Sequence, residues 1–184
     1  MSLSKRLNMG IGEIHLITGP MYSGKSSEIQ KIINKFKVLK SNIIIFNHIL
    51  DKRYGEGKIY THDRQGIDCI QTENLMDFIK DKKYIDSEIV IIDEGHFFND
   101  LEEFTNLSCD TNNKKVYIAG LNGDYKRKYI GQINSLVPKC DTYLKLSALC
   151  LMCKDGTPGI FSKRLSNSNE TICVGSEQDY IAVC

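Results

Sequence analysis

One short segment near the start of the chain limits the possible folds more than any other feature. In GPMYSGKS, residues 19–26, two glycines stand five positions apart, and the second is followed directly by a lysine and a serine. An apolar run at residues 13–19 leads into the segment, and residues 26–40 carry apolar side chains at helical spacing. This strand–loop–helix order fits the G-x-x-x-x-G-K-[ST] pattern, whose backbone N–H groups wrap a phosphate. The alternative interpretation is a chance glycine turn ahead of a helix.

The residue types in this segment suit a polyphosphate. Gly19 and Gly24 permit the dihedral angles and the close backbone approach that such a loop needs. The helix that follows directs the positive end of its dipole at the same phosphate. Lys25 can reach the β- and γ-phosphates, and the hydroxyl of Ser26 can bind Mg²⁺. The segment therefore predicts binding of a nucleoside triphosphate.

Apolar runs and helical patterns alternate along most of the chain. Strands are predicted at residues 13–19, 42–46, 88–93 and 114–120, helices at 26–40, 73–83 and 100–109, and irregular structure at 51–70. This alternation predicts an α/β fold of the P-loop NTPase type, with a mostly parallel sheet flanked by helices. After about residue 140 the chain holds only short strand-like pieces among turn residues. We expect an ATP-binding domain over residues 1–147 and a small second domain over residues 148–184.

A second candidate site element follows the apolar run at residues 88–93. Asp93 ends this run, at the position where parallel sheets place ligand sites, and Glu94 comes next. Asp93 is predicted to hold Mg²⁺, directly or through water. Glu94 could take a proton from an attacking hydroxyl beside the γ-phosphate. The alternative for both residues is a solvated acidic turn at a strand end.

The DEGH sequence at residues 93–96 also allows a different class of protein, a P-loop ATPase switch or a helicase-like motor with a zinc docking module. Such motors clamp ATP between two domains, and a single domain of that kind would take up most of this chain. The net charge of +1 gives no basic excess for a nucleic-acid backbone or a membrane surface. No apolar run approaches the roughly 20 residues that span a bilayer, and no export signal opens the sequence. We expect a cytoplasmic protein without nucleic-acid or membrane partners.

Five of the seven cysteines lie at or after Cys140. Cys150 and Cys153 have the C-x₂-C spacing that places two thiolates on one tetrahedral metal ion, and Cys184 ends the sequence. The fourth ligand must then be Cys140, Cys173 or a group beyond the end of the chain. The alternative is a set of reduced, half-buried thiols. We expect a structural zinc ion that staples a segment too small to form its own core.

Taken together, these motifs resemble the zinc-containing thymidine kinases over residues 13–184. The similarity rests on GPMYSGKS (19–26), DKRY (51–54), THD (61–63), IDEGHFF (92–98), LNGDYKRK (121–128), KLSALCLMC (145–153), SKRL (162–165) and DYIAVC (179–184). The resemblance implies transfer of the ATP γ-phosphate to the 5′-hydroxyl of thymidine, or of deoxyuridine, in pyrimidine salvage. It also implies that the C-terminal domain forms a lasso over the base, held still by the zinc ion.

The resemblance assigns roles residue by residue. Glu94 is implied as the general base. The implied ATP and phosphate contacts are Gly19, Met21, Ser23, Gly24, Lys25, Ser26, Asp51, Arg53, Asp93 and His96, with Ser26 and Asp93 on magnesium. The implied nucleoside contacts are Met21, Phe97, Leu121, Asp124, Tyr125, Ile130, Ser162, Thr171, Ile172, Cys173, Val174, Gly175 and Tyr180. The implied zinc ligands are Cys150, Cys153 and Cys184.

Three positions depart from the family pattern. His96 stands where a glutamine is expected, and Asp124 and Ile130 replace an expected threonine and an expected aromatic residue. Phe97 and Phe98 suit a pocket for a base but could equally lie in the core. The resemblance further implies a homotetramer with feedback inhibition by thymidine triphosphate.

Overall fold

A computed structural model describes residues 11–51, 58–60, 66–165 and 179–184. Its centre is a six-stranded sheet in the order β5-β2-β6-β7-β1-β8, with all pairings parallel. The strands are β1 (Glu13–Thr18), β2 (Ile43–His48), β5 (Ile70–Thr72), β6 (Ile89–Ile92), β7 (Lys115–Gly120) and β8 (Thr142–Lys145). This confirms the predicted α/β class with a mostly parallel sheet.

Both faces of the sheet are covered, which explains the continuous apolar runs of its strands. In β6, Val90 and Ile92 face one core, whereas Ile89 and Ile91 face the other. Helix α1 (Lys25–Val38) closes the second core with Ile29 and Ile33, both fully buried. Helix α3 (Leu101–Asn106), followed by a π-helical turn at Leu107–Thr111, packs against the first core.

Parallel pairing brings the carboxyl ends of the central strands to one edge of the sheet. Phe46 in β2 is in register with Ile92 in β6, and Ile92 with Ile118 in β7. Thr18 at the end of β1 is in register with Gly120 at the end of β7. The segments that follow these strands therefore meet at a single edge, where ligands bind in open α/β sheets.

Two local predictions were wrong. Residues 73–83 do not form one helix: a 3₁₀ turn at Met76–Phe78 precedes a separate helix α2 (Lys82–Asp86). The Asp81 side chain accepts the Lys83 N–H at 2.7 Å and so starts a new helix there. Residues 51–70 were expected to be irregular, but β3 (Lys58–Tyr60) and β4 (Gly66–Asp68) pair antiparallel, and Ile70 begins β5. Each of these strands has three residues, too few for a period-2 pattern to emerge.

The C-terminal part carries two small antiparallel pairs. Strand β9 (Ala148–Leu149) pairs with β10 (Pro158–Gly159), and β11 (Phe161–Arg164) pairs with β12 (Tyr180–Val183). The main sheet thus extends to Lys145, and the boundary at residues 147 and 148 stays a prediction. Within the described ranges, no helix combines the length and the apolar character needed to cross a bilayer.

Candidate active site

The glycine segment forms a tight loop between β1 and α1. Gly19 has φ of 155°, and a Cβ there would lie only 2.6 Å from the backbone oxygen of Leu146. Gly24 caps α1 in the left-handed region, with φ of 86°. Lys25 is 9% exposed, and its Nζ donates to the Pro20 carbonyl at 2.8 Å, across the loop. The strand–loop–helix context is confirmed, and the roles of these residues toward phosphate stay predictions.

Two carboxylates follow β6 at the same edge. Asp93 is 3% exposed and Glu94 is 7% exposed. The Asp93 N–H extends the sheet by donating to the Phe46 carbonyl at 2.9 Å, and Asp93 Oδ1 accepts the Glu94 N–H at 3.0 Å. These bonds fix the turn that carries both acids.

Glu94 has a left-handed backbone, with φ of 50° and ψ of 38°. This conformation costs a residue with a side chain roughly 1–3 kcal/mol and is concentrated at functional sites. The turn continues as a short 3₁₀ helix at Gly95–Phe97. Glu94, which the sequence singled out as a proton acceptor, is one of six described residues other than glycine that have a positive φ.

His96 points between the acidic turn and the segment after β7. Its Nδ1 accepts the Leu121 N–H at 3.2 Å and lies 3.5 Å from Glu94 Oε2. His96 thus connects the turn of Glu94 to Leu121, a predicted wall of the nucleoside pocket.

The two phenylalanines after His96 differ in burial. Phe98 is fully buried and belongs to the core, which was the alternative to a place in the base pocket. Phe97 is half-buried, and its ring lies 4.1 Å from that of His96 and 5.5 Å from that of His48.

A buried side-chain hydrogen bond that the sequence did not reveal connects Asn47 with Asp51. Asn47 is 1% exposed, and its amide Nδ2 donates to Asp51 Oδ2 at 3.1 Å. Cys69 lies in the same region, where burial first, and then the negative charges of Asp93 and Asp51, raise the pKa of its thiol to about 11. Asn47 was missed because it reads as an ordinary strand residue, and only its side-chain contact gives it a role.

The predicted pocket residues after β7 are arranged by Asp124. Its Oδ1 accepts the N–H groups of Lys126 and Lys128, both at 2.8 Å, and so closes the turn that carries Tyr125. Asp124 and Ile130 are each 9% exposed. The structure thus gives Asp124 a scaffolding contact, and its contact with nucleoside stays a prediction.

Strands β11 and β12 bring the C-terminal part against the glycine loop. Ser162 is 7% exposed, and its Oγ accepts the Met21 N–H at 3.0 Å. Tyr180 is 7% exposed and lies beside Arg164, which was not singled out from the sequence. The alternation of buried Ser162 and Arg164 around exposed Lys163 is visible only in the structure, because all three residues are polar in the sequence.

The three predicted cysteine ligands come together. The Sγ atoms of Cys150, Cys153 and Cys184 all lie within 4.8 Å of one another, and those of Cys153 and Cys184 are 3.7 Å apart. Backbone N–H groups of Cys153 and Cys184 lower the pKa of the Cys150 thiol to about 6. Three thiols at these distances could hold a metal ion.

Cys140, one of the three alternatives for the fourth ligand, does not lie with the other cysteines. Its thiol donates to the Val137 carbonyl at 3.1 Å, and it is not part of the metal-binding group found among the described residues. Six predicted residues, Arg53, Thr171, Ile172, Cys173, Val174 and Gly175, lie outside the described residues, as does the THD motif.

Comparisons with known proteins agree with this geometry. The sequence model of the family described as thymidine kinase matches residues 12–184. The chain is 37% identical to the thymidine kinase of Fowlpox virus (strain NVSL), over 96% of either chain. It is 34% identical to that of Yaba monkey tumor virus (strain VR587), over 97% of this chain and 95% of the relative. The thymidine kinase of Sheeppox virus (strain KS-1) is 35% identical, over 96% of either chain. With its loop and acidic turn on one sheet edge and a match over nearly its full length, this chain belongs to the thymidine kinase family.

Proposed function

We propose that this protein transfers the γ-phosphate of ATP to the 5′-hydroxyl of thymidine, or of deoxyuridine. The observation that carries the proposal is the placement of the Gly19–Ser26 loop and the Asp93–Glu94 turn at the carboxyl ends of strands in one sheet, in a member of this family. A kinase needs this juxtaposition, because the phosphate and the attacking hydroxyl must meet beside a proton acceptor.

The glycine loop and its neighbours are proposed to bind the polyphosphate. Lys25 would move from the Pro20 carbonyl, 2.8 Å away, to the charged phosphates. The buried Ser23 hydroxyl has no hydrogen-bond partner in the described part of the chain and lies in this loop. Ser26 and Asp93 would hold the Mg²⁺ that accompanies ATP, and their hard oxygen donors suit that ion.

Glu94 is proposed as the general base. Its carboxylate is 7% exposed and lies on a turn fixed by backbone hydrogen bonds. A base held in this way accepts the proton of the 5′-hydroxyl as the γ-phosphoryl group arrives, and such a contribution is typically about 10²–10⁴-fold.

The nucleoside is proposed to lie between the segment after β7 and the C-terminal strands. Leu121 and Tyr125 would contribute from the first segment, and Tyr180 from β12. The Met21–Ser162 bond of 3.0 Å joins this region to the glycine loop, which supports one continuous site for both substrates.

A zinc ion is proposed at Cys150, Cys153 and Cys184. Thiolates are soft donors that suit zinc, and the three sulfur atoms are within reach of one ion. The N–H groups that donate to Cys150 favour its thiolate form. The ion would stabilise the C-terminal domain, residues 148–184, and take no part in phosphoryl transfer. We also propose, from the family resemblance, a homotetramer that thymidine triphosphate inhibits.

Turnover of ATP with a panel of nucleosides tests the proposed function. We expect ADP and thymidine monophosphate to form in equal amounts, with little ATP consumed in the absence of an acceptor. Lys25→Ala is the matched inactive variant, and full turnover by it would contradict the phosphate-binding role of the loop. Release of free phosphate without a nucleoside, increased by nucleic acid, would instead favour the switch or motor.

A further inference from the structure

Arg164 is a buried cation that contacts two tyrosines, Tyr125 and Tyr180. It is 8% exposed, whereas its neighbour Lys163 on the same strand is exposed. Its Nε donates to the Tyr180 hydroxyl at 2.9 Å, and its Nη2 donates to the same oxygen. Its Cζ lies 4.1 Å from the centroid of the Tyr125 ring. One side chain therefore contacts segments more than fifty positions apart in the sequence.

Strand pairing brings Arg164 and Tyr180 next to each other. Arg164 is directly opposite Tyr180 in the antiparallel register of β11 and β12. On the other side, the turn that carries Tyr125 is closed by hydrogen bonds to Asp124 Oδ1. Both tyrosines thus sit on fixed backbone, and the guanidinium fills the space between their side chains.

Arginine has the chemistry that this position requires. Its planar guanidinium can stack on one aromatic ring while its in-plane N–H groups donate to a hydroxyl. A lysine ammonium has no flat face to stack and only a flexible stem to hold it in place. A buried guanidinium is costly unless its N–H groups are hydrogen-bonded. The Tyr180 hydroxyl accepts from two of them while the Tyr125 ring lies against the guanidinium, so these contacts favour one geometry of the two rings.

We propose that Arg164 is a positioning residue for the nucleoside end of the site, fixing Tyr125 and Tyr180 as the walls that receive a flat pyrimidine base. This inference rests on the proposed function, in which these two tyrosines line the nucleoside pocket. Arg164 acts through them and not on the reacting atoms. Its loss should therefore weaken nucleoside binding much more than ATP binding or the chemical step.

The matched pair Arg164→Met and Lys163→Met tests this role in the full-length protein. We expect Arg164→Met to raise the KM for thymidine about ten- to a hundredfold, on the scale of a lost charged hydrogen bond and a lost cation–π contact. The KM for ATP should stay within about twofold, and Lys163→Met should change neither value by more than about twofold. Arg164→Lys should stay close to Arg164→Met, because charge alone does not restore stacking.

Tyr180→Phe keeps the ring and removes the acceptor, so it provides a mild second variant. We expect it to raise the KM for thymidine about fivefold, with no further increase when it is combined with Arg164→Met. Equal changes in the two KM values, or a lower melting temperature with an unchanged KM for thymidine, would overturn the positioning role. An increase with Tyr180→Phe but none with Arg164→Met would overturn this inference alone. Wild-type protein that fails to phosphorylate thymidine would overturn the proposed function as well.

Discussion

The pKa values of two cysteine thiols, Cys69 and Cys150, are shifted in opposite directions in two regions of the molecule. Beside the phosphate-side carboxylates, burial and the negative charges of Asp93 and Asp51 raise the pKa of Cys69 to about 11. In the C-terminal part, N–H groups of Cys153 and Cys184 lower the pKa of Cys150 to about 6. The first environment already holds negative charge and disfavours another anion. The second stabilises a single anion at Cys150, and hydrogen bonding with Cys150 raises the pKa of its neighbour Cys153 to about 11. The carboxylates of the first region are suited to a cation, and the thiols of the second could hold a metal ion, whose charge would favour all three thiolates.

The two regions also differ in how their groups are held in place. The carboxylates and the glycine loop lie at the edge of a six-stranded sheet with a hydrophobic core on either face. The described C-terminal strands form two-stranded pairs, with Leu149 64% and Met152 61% exposed nearby. A two-stranded hairpin is marginally stable in water without further packing or a staple. Changes in the first region should therefore impair chemistry in an intact fold, and changes in the second should impair the fold of the C-terminal part.

The largest effect is expected from Glu94→Gln. The amide cannot accept the hydroxyl proton, so kcat should fall by about 10²–10⁴-fold. The KM for thymidine and the melting temperature should change little, because glutamine keeps the shape of the side chain. Steady-state kinetics and thermal unfolding measure these quantities.

Glu88→Gln is the matched control for this variant. Glu88 is exposed and stands immediately before β6, at the opposite end of that strand from Glu94, and its loss should leave kcat unchanged. A decrease in kcat of less than about threefold for Glu94→Gln, well below the range of general-base catalysis, would remove Glu94 from the chemistry.

The sequence predicted the strand–loop–helix context and the acidic turn after β6 because their signals are local. The glycine loop and Asp93 are each read from contiguous residues between a strand and the next element. The predicted nucleoside contacts depend instead on residues that are distant in the sequence, such as Arg164 with Tyr125 and Met21 with Ser162. No sequence spacing predicts such contacts. The C-x₂-C spacing gave two of the cysteines, and the pairing of β11 with β12 brings the end of the chain to them. The sequence predicted one helix over residues 73–83 because it does not show that Asp81 caps a separate helix, α2, within that range.

The next effect in size is expected from loss of the metal ion. We expect elemental analysis to find about one zinc ion per chain, and Cys153→Ser to lose it, because one of three described ligands is gone. The KM for thymidine should then rise about tenfold or more, since even the loss of a group that only supports a ligand typically costs about 10–100-fold in metal affinity or activity. The KM for ATP should rise much less, since the glycine loop belongs to the main sheet.

Cys140→Ser is the control for the metal site. Cys140 donates to the Val137 carbonyl and lies outside the cysteine cluster, so this variant should keep its zinc ion and its activity. Absence of zinc from the wild-type protein, or equal loss of zinc from both variants, would contradict the assignment.

A smaller effect is expected where the two regions meet. Ser162→Ala removes the acceptor of the Met21 N–H, which is partly buried, so the cost should lie near the lower end of the roughly 1–3 kcal/mol for an unpaired buried donor. Because Met21 belongs to the glycine loop, the KM values for ATP and for thymidine should both rise a few-fold. Ser162→Thr keeps the hydroxyl and should remain close to wild type. A change confined to one substrate would show that the bond does not couple the regions.

The smallest effect concerns Cys69 and sharpens the contrast between the two thiols. A pKa of about 11 instead of 9.0 leaves about a hundredfold less thiolate at pH 8, so alkylation of Cys69 should be slower by that factor in folded than in urea-unfolded protein. The folded-state pKa is raised, so the contribution of Cys69 to stability is present below about pH 9 and is lost as the pH rises toward 11. Asp51→Asn removes one of the charges responsible and should speed alkylation, as measured by mass spectrometry of the modified peptide. Slower alkylation in that variant would mean that access to the thiol, and not the negative charge around it, controls its reactivity.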